Sequence, residues 1–370
     1  MTYGAYPAGR AVAERVREHF ARHVDAAELV PEVGHIEALI EVGFWTSLRR
    51  EEGYVPKISL ALVSPAAAPH PMLFAHRLPL SPAALAKVAP AVERPGIHLG
   101  VSPEDDVLSV WGTTRTLPPF CLVLEVAAPG LIVVKQHRGG EHLKFANIAV
   151  LEADQVKIVD ETASSLPDCP SLLTSLLGFD TPGSWSDSVN VLVQLAVSMR
   201  AHKRGGLLLV VPAGSDRWRE SIISPIPYAL DPPFAQLAKL LQKGDDKRNR
   251  LWEDALERAV DAIAGLTAVD GATVITDRYD LLAFGAKITR RRGSPPVEQT
   301  TVTEPIEGGT ADIVHPSSLG GTRHLSAAQF AHDQQDAVAL VASQDGHFTV
   351  FAWSPCEKMV HAHRVEALLL

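Results

Sequence analysis

Apolar residues recur at every fourth position across residues 10–24, where Val12, Val16, Phe20 and Val24 form one stripe, the pattern of a helix that packs against a core. Beyond it the pattern shortens. Residues 57–63, 107–111 and 131–134 are brief apolar or β-branched runs with Pro and Gly between them, and they read as strands. Ser81-Pro82 supplies an N-cap and a first-turn proline for a helix over 83–92. The first half is therefore expected to be α+β. Residues 160–188 mix Ser, Pro, Asp and Gly around a short apolar piece, 172–177, which is linker composition.

After that segment helix and strand signals alternate. Residues 189–199 have helical spacing, and 206–211 are apolar without interruption, as in a central strand buried on both faces. A second helix is expected over 251–264, with Trp252, Ala255, Leu256, Ala259 and Ile263 on one face and Gly265 at its end. Residues 272–276 and 281–288 follow as a hairpin joined by 277–280, and 337–342 and 348–353 form another around the Asp345-Gly346 turn. Between them, 289–319 reads as a long loop rich in Pro, Gly and Thr, of the kind that serves as a lid or contact surface. The expected class is α/β, a mixed β-sheet flanked by helices in the C-terminal half, with a separate α+β N-terminal domain. The expected boundaries are 1–165 for the first domain, 166–188 for the linker and 189–370 for the second.

Composition narrows the function. At 370 residues, 46% hydrophobic and 21% charged, the chain has ample core material for two domains. A net charge of −9 argues against general nucleic-acid binding, which needs a basic field, and the only basic run, Arg290-Arg291-Arg292, is short. Cys121, Cys169 and Cys356 lie far apart, with neither a disulfide framework nor a zinc ribbon in their spacing, so a reducing cytoplasm is expected. Residues 1–10 lack the pattern of a leader, and no apolar run reaches the roughly 20 residues of a membrane span, so no membrane contact is expected. In the first half His35, His70, His76, His98, His137 and His142 are scattered and read as surface or core histidines.

Chemistry gathers in the second half. Asp270-Gly271-Ala272 follows the helix and opens a strand, which projects the carboxylate from the end of the sheet, where it can hold a divalent metal against a phosphate or sugar hydroxyl. Gly320-Gly321 allow close backbone approach to a ligand. Thr322 is expected to cap a helix over 323–333, leaving the amides of Arg323 and His324 to face an anion. Arg323 adds a charged fork for phosphate oxygens, and His324 can donate to another or stabilise a leaving group. Ser343-Gln344-Asp345 ends a strand at the same side of the sheet.

These segments, in this order, resemble the diadenylate cyclase domains, which carry a DGA motif, a GTRHR motif at a helix start and a Ser-Glu-Glu after the next strand. The resemblance spans 203–353, and the segment 282–286, with Phe284 and Gly285, is similar to the strand whose backbone holds adenine. It implies that two domains face each other, each holding one ATP, and that each ribose 3′-hydroxyl attacks the partner's α-phosphate to yield cyclic di-AMP and pyrophosphate. On that resemblance Asp270 holds the catalytic Mg²⁺ or Mn²⁺, with Asp345 as the one further carboxylate for the metal. Asp270, Arg323 and His324 are the catalytic set, and Gly271, Ala272, Phe284, Gly285, Gly321, Thr322 and Ser343 bind nucleotide. The expected partners are ATP and a second copy of the chain. Leu325 and Gln344 depart from the family's second arginine and first acid, and Leu325 is expected to turn into the core. The alternative is therefore a catalytically degenerate domain that binds ATP or a cyclic dinucleotide as a signalling receptor. The first half more distantly resembles the DACNV-type sensor domain, which implies regulation.

Overall fold

The computed structural model describes residues 6–23, 29–105, 107–137, 145–160, 191–242 and 250–370. The 166–188 linker, the 172–177 piece, His142 and Cys169 lie outside the described residues. Contacts divide the chain into two compact units, Met1–Asp160 with Leu370, and Glu161–Leu369. Each unit carries a mixed sheet, and seven α-helices are present among the described residues, a mixed α/β chain. None of those helices is long and apolar enough to cross a membrane.

The first unit runs α1 (Gly9–His23), α2 (Val33–Ser47), β1 (Ile58–Leu62), β2 (Met72–Pro79), α3 (Pro82–Val92), β3 (His98–Glu104), β4 (Val107–Thr114), β5 (Leu122–Ala128), β6 (Leu131–His137), β7 (Phe145–Glu152) and β8 (Gln155–Ile158). Its sheet order is β2-β4-β3-β1-β5-β6-β7-β8, with β1 and β3 parallel and the other neighbours antiparallel. Val12, Val16 and Phe20 of α1 are buried with Ile36, Leu39 and Ile40 of α2 against Leu60, Leu99 and Leu124 of the sheet. The cap expected at Ser81 is present, its hydroxyl accepting from the Ala84 amide. The opposite sheet face holds a smaller cluster around Trp111, Cys121 and Val123. Beside it the His98 and His137 rings flank Phe145, with centroids 5.8 and 5.4 Å away.

The second unit contains α4 (Val191–Ala201), β9 (Gly206–Val211), β10 (Tyr228–Phe234), α5 (Gln236–Leu241), α6 (Arg250–Leu266), β11 (Ala272–Thr276), β12 (Leu281–Ala286), β13 (Thr300–Thr303), β14 (Asp312–Val314), α7 (Thr322–Asp333), β15 (Val338–Ala342), β16 (Phe348–Ser354) and β17 (Met359–Arg364). The strand order is β10-β12-β11-β9-β15-β16-β17-β13-β14. Strand β9 is central because its six residues are all buried: Leu208 and Val210 face the cluster under α4 and α6, while Leu207, Leu209 and Val211 face the cluster under α7. Helices on both faces of a sheet with continuous apolar strands make a three-layer α/β arrangement.

Three local expectations need correction. Helix α6 continues through Gly265 to Leu266, because Ile263 and Ala264 remain packed in the core and no left-handed residue stops the turn there. Residues 289–319 are not a plain loop: β13 pairs with β17 in parallel and with β14 in antiparallel fashion, so the segment extends the sheet by two strands. Leu325 is 39% exposed rather than turned inward, since Ala327, Ala328, Phe330 and Ala331 take the buried face of α7.

Candidate functional site

Strands β9 and β11 run parallel and begin at the same end of the sheet, while the antiparallel β12 and β15 finish there. Ala272 pairs with Ala286, and Ala342 pairs with Gly206. That topology brings residues 204–206, 270–272, 285–287 and 343–345 to one sheet end, although they are far apart in sequence.

Asp270 stands just before β11 with its carboxylate 89% exposed, and Lys287, just past β12, donates to it. That hydrogen bond and the charge of Lys287, with a further contribution from Arg323, hold the Asp270 carboxyl below the usual carboxylate range. Gly271 has φ +116°, and a Cβ there would lie 2.5 Å from the Gly285 carbonyl carbon; Gly285 itself has φ +65°. Only glycine fits either position without strain, so the two backbones meet bare across β11 and β12. Ala272 is fully buried behind them. Phe284 stacks on Tyr228 of the neighbouring strand, ring centroids 4.6 Å apart and planes at 7°.

On the other side of β9, Gly205 has φ +69°, and a Cβ on it would come within 2.7 Å of Arg323 Nη1. The Arg323 guanidinium thus lies over the start of the central strand, close enough to act on Asp270. Helix α7 opens differently from the expected cap. Gly321 is the N-cap residue with no side-chain bond, and Thr322 is already the first helical residue and exposed. Of the two amides expected to face an anion, that of His324 is spent on the Gly321 carbonyl at 3.1 Å. The His324 ring is buried at 4% exposure, against the Gly320 backbone and edge-on to Phe351 at 6.0 Å. Burial first, then the charges of Arg364, His347 and Arg323, lower its pKa below the ordinary imidazole value.

Ser343 is a turn-maker: its hydroxyl accepts from the His347 amide at 3.1 Å, and its own amide donates to the His347 carbonyl at 2.9 Å. Asp345 is exposed on the same turn. Among the described residues no group of three or more His, Cys, Asp or Glu side chains is placed to hold a metal ion. The side chains that could hold a cation at this end of the sheet are two exposed carboxylates, Asp270 and Asp345, hard oxygen donors of the kind Mg²⁺ accepts. Sequence reasoning missed Lys287. It also missed His347, which contacts Glu366 at 3.2 Å, and Arg364, 3.7 Å from the same carboxylate.

A family model described as "Probable sensor domain DACNV" matches residues 25–115, within the first unit. No curated protein matches the chain. Among solved structures, a crystal structure of a double mutant of DacA from Staphylococcus aureus is similar at 13% identity over 46% of this chain and 83% of that chain, with a TM-score of 0.25. A likeness that loose decides nothing about the activity.

Proposed function

We propose that the second unit is a diadenylate cyclase-like nucleotidyltransferase that condenses two ATP molecules into cyclic di-AMP, or a related cyclic dinucleotide, under control of the first unit. The observation that carries this reading is the convergence of Asp270, the bare Gly271–Gly285 contact and the Arg323 guanidinium at one end of one sheet. In this reading the triphosphate lies over Gly205 and Arg323, whose planar fork suits phosphate oxygens. The nucleoside lies against the Gly285 backbone beside Phe284, and Gly321, Thr322 and the Ser343 turn complete the phosphate side. His324 supports the glycine turn from beneath.

The 3′-oxygen of one nucleotide forms a bond to the α-phosphorus of the other, the bond from that phosphorus to the bridging oxygen of the pyrophosphate breaks, and the hydroxyl proton passes to solvent. Two such displacements close the ring and release two pyrophosphates, so two units face each other, each with one ATP. Bound Mg²⁺ or Mn²⁺ would be held by Asp270, with Asp345 as the other candidate carboxylate, and would neutralise charge on the reacting phosphates. A match of residues 25–115 to a sensor-domain family supports the regulatory part.

A second reading has its own support. Lys287 already occupies the Asp270 carboxylate, and Leu325 and Gln344 replace charged residues of the resembling family; these favour a receptor that binds ATP or a cyclic dinucleotide without turnover. Incubating the chain with ATP and Mn²⁺ and weighing the products separates the two. A cyclic dinucleotide supports the cyclase, and saturable ATP binding without product supports the receptor.

A further inference from the structure

The basic run Arg290-Arg291-Arg292 plays no part in the site above. It lies beside the opposite, C-terminal end of α7, and by the rise of a helix His332 is about 14 Å from Arg323 along the axis. There a cavity of about 570 Å³ is lined by Arg217, Arg291, Arg292, Ser294, His332 and Trp353, among others. That volume suits a nucleotide-sized molecule.

The arginines sit on a fixed frame. Asp333, buried beneath them, accepts from the Arg291 amide at 2.8 Å, from the Ser294 hydroxyl and from Gln329 Nε2 at 2.9 Å, while Gln329 Oε1 accepts from the Val297 amide at 3.1 Å. This carboxylate, which lines the cavity together with that of Asp336, is thereby saturated by donors. Arg291 is paired with Glu220 at 3.0 Å and Arg217 loosely with Asp336 at 3.8 Å, whereas Arg292 is exposed and has no acidic partner among the described residues. One wall is aromatic: the His332 ring stands edge-on to Trp353 at 5.4 Å and 82°. Guanidinium groups around a polar cavity, one of them with no acidic partner among the described residues, are suited to a phosphate, and an indole wall is suited to the organic part attached to it.

We infer that this cavity is a second ligand site, separate from the Asp270 end of the sheet, that binds a small phosphorylated molecule between the Arg217, Arg291 and Arg292 side chains with its organic part against Trp353.

AMP is a suitable probe, with adenosine and inorganic phosphate as its two halves. Hydrogen exchange of the full chain reads the location, because ligand in the cavity slows the amides of residues 290–294. The expected result is protection by AMP in the wild type and in Arg323→Ala alike, competed by phosphate, with the apparent affinity falling about tenfold or more in Arg292→Ala as a charge-assisted bond is lost. Arg217→Ala, also on the surface, gives an independent variant. No protection at saturating AMP would overturn the inference, as would adenosine protecting as well as AMP. So would protection abolished by Arg323→Ala but intact in Arg292→Ala, which would place the ligand at the other end of the helix while leaving the nucleotide site there standing.

Discussion

Lys287 and Asp270 face each other as an ion pair across the open end of β12 and β11, Lys287 one residue past Ala286 and Asp270 two residues before its ladder partner Ala272. A cation bound at Asp270 must therefore compete with an ammonium that the fold already supplies.

That competition gives the first prediction. Lys287→Met frees the carboxylate, so half-saturation by Mn²⁺, followed by the paramagnetic signal of the free ion, should move to lower concentration. The factor should be small, because both groups are exposed and such pairs contribute little. An unchanged or weaker Mn²⁺ affinity would mean that Asp270 is not the metal ligand and that Lys287 serves the phosphates directly.

The second concerns the bare contact beside them. Gly271→Ala places a Cβ 2.5 Å from the Gly285 carbonyl carbon at a φ of +116°, so it should cost about 1–3 kcal/mol of stability and push β11 and β12 apart. Urea denaturation measures the first effect and ATP binding the second. A variant with native stability and affinity would remove the close backbone approach from the site.

These residues differ in how far the sequence exposed them. Asp270, Gly271, Gly285 and Arg323 flank strand or helix ends that apolar runs mark out, so their convergence followed once β9 was recognised as central. Lys287 did not follow, because the β11–β12 register shifts between Ala272 and Val274 and again before Ile275, and a shifted ladder hides which residue faces Asp270. Helix α2 escaped notice for another reason: Ile36, Leu39, Ile40 and Val42 are all buried, so its apolar residues form no single stripe. Strand β13 is four residues long and mostly Thr, β14 has only three residues, and only their pairing partners reveal them.

The third prediction is a pH dependence in the first unit. Burial, opposed by Glu125 and reinforced by His137 and Lys135, lowers the His98 pKa from 6.5 to about 4. The folded state therefore holds His98 neutral while the unfolded chain takes up a proton below pH 6.5. Its contribution is fully present above that value and is lost as pH falls toward 4, by about 2 kcal/mol between pH 7.5 and 5. Hydrogen exchange of the β3 amides, compared between wild type and His98→Gln, should show a steeper loss of protection in the wild type. Parallel pH profiles would assign the loss to other groups.

The fourth concerns Asp333, which ties residues 291–297 to the end of α7. Asp333→Ala strands the Arg291 amide, Ser294 and Gln329, and should cost about 2–4 kcal/mol. Trypsin cleavage at 290–292 should accelerate well before global unfolding. If cleavage stays as slow as in the wild type, the segment is held by its pairing in the sheet rather than by this carboxylate.

The last prediction separates turnover from binding at the Asp270 end of the sheet. Asp270→Asn keeps the size and hydrogen-bonding capacity of the side chain but removes the charge that a divalent cation requires, while Arg323 over Gly205 is untouched. If the unit is a cyclase, dinucleotide synthesis should fall by about two orders of magnitude or more, as expected when charge stabilisation of phosphoryl transfer is lost, with ATP affinity changing little. Arg323→Ala should show the opposite balance, weakening ATP binding first. If each unit holds one ATP and two must face each other, synthesis per molecule should also drop on dilution, and sedimentation at the same concentrations identifies the species present. Wild-type chain that binds ATP through Arg323 yet makes no dinucleotide with either metal would establish the receptor, with Lys287 as the cation that has taken the metal's place.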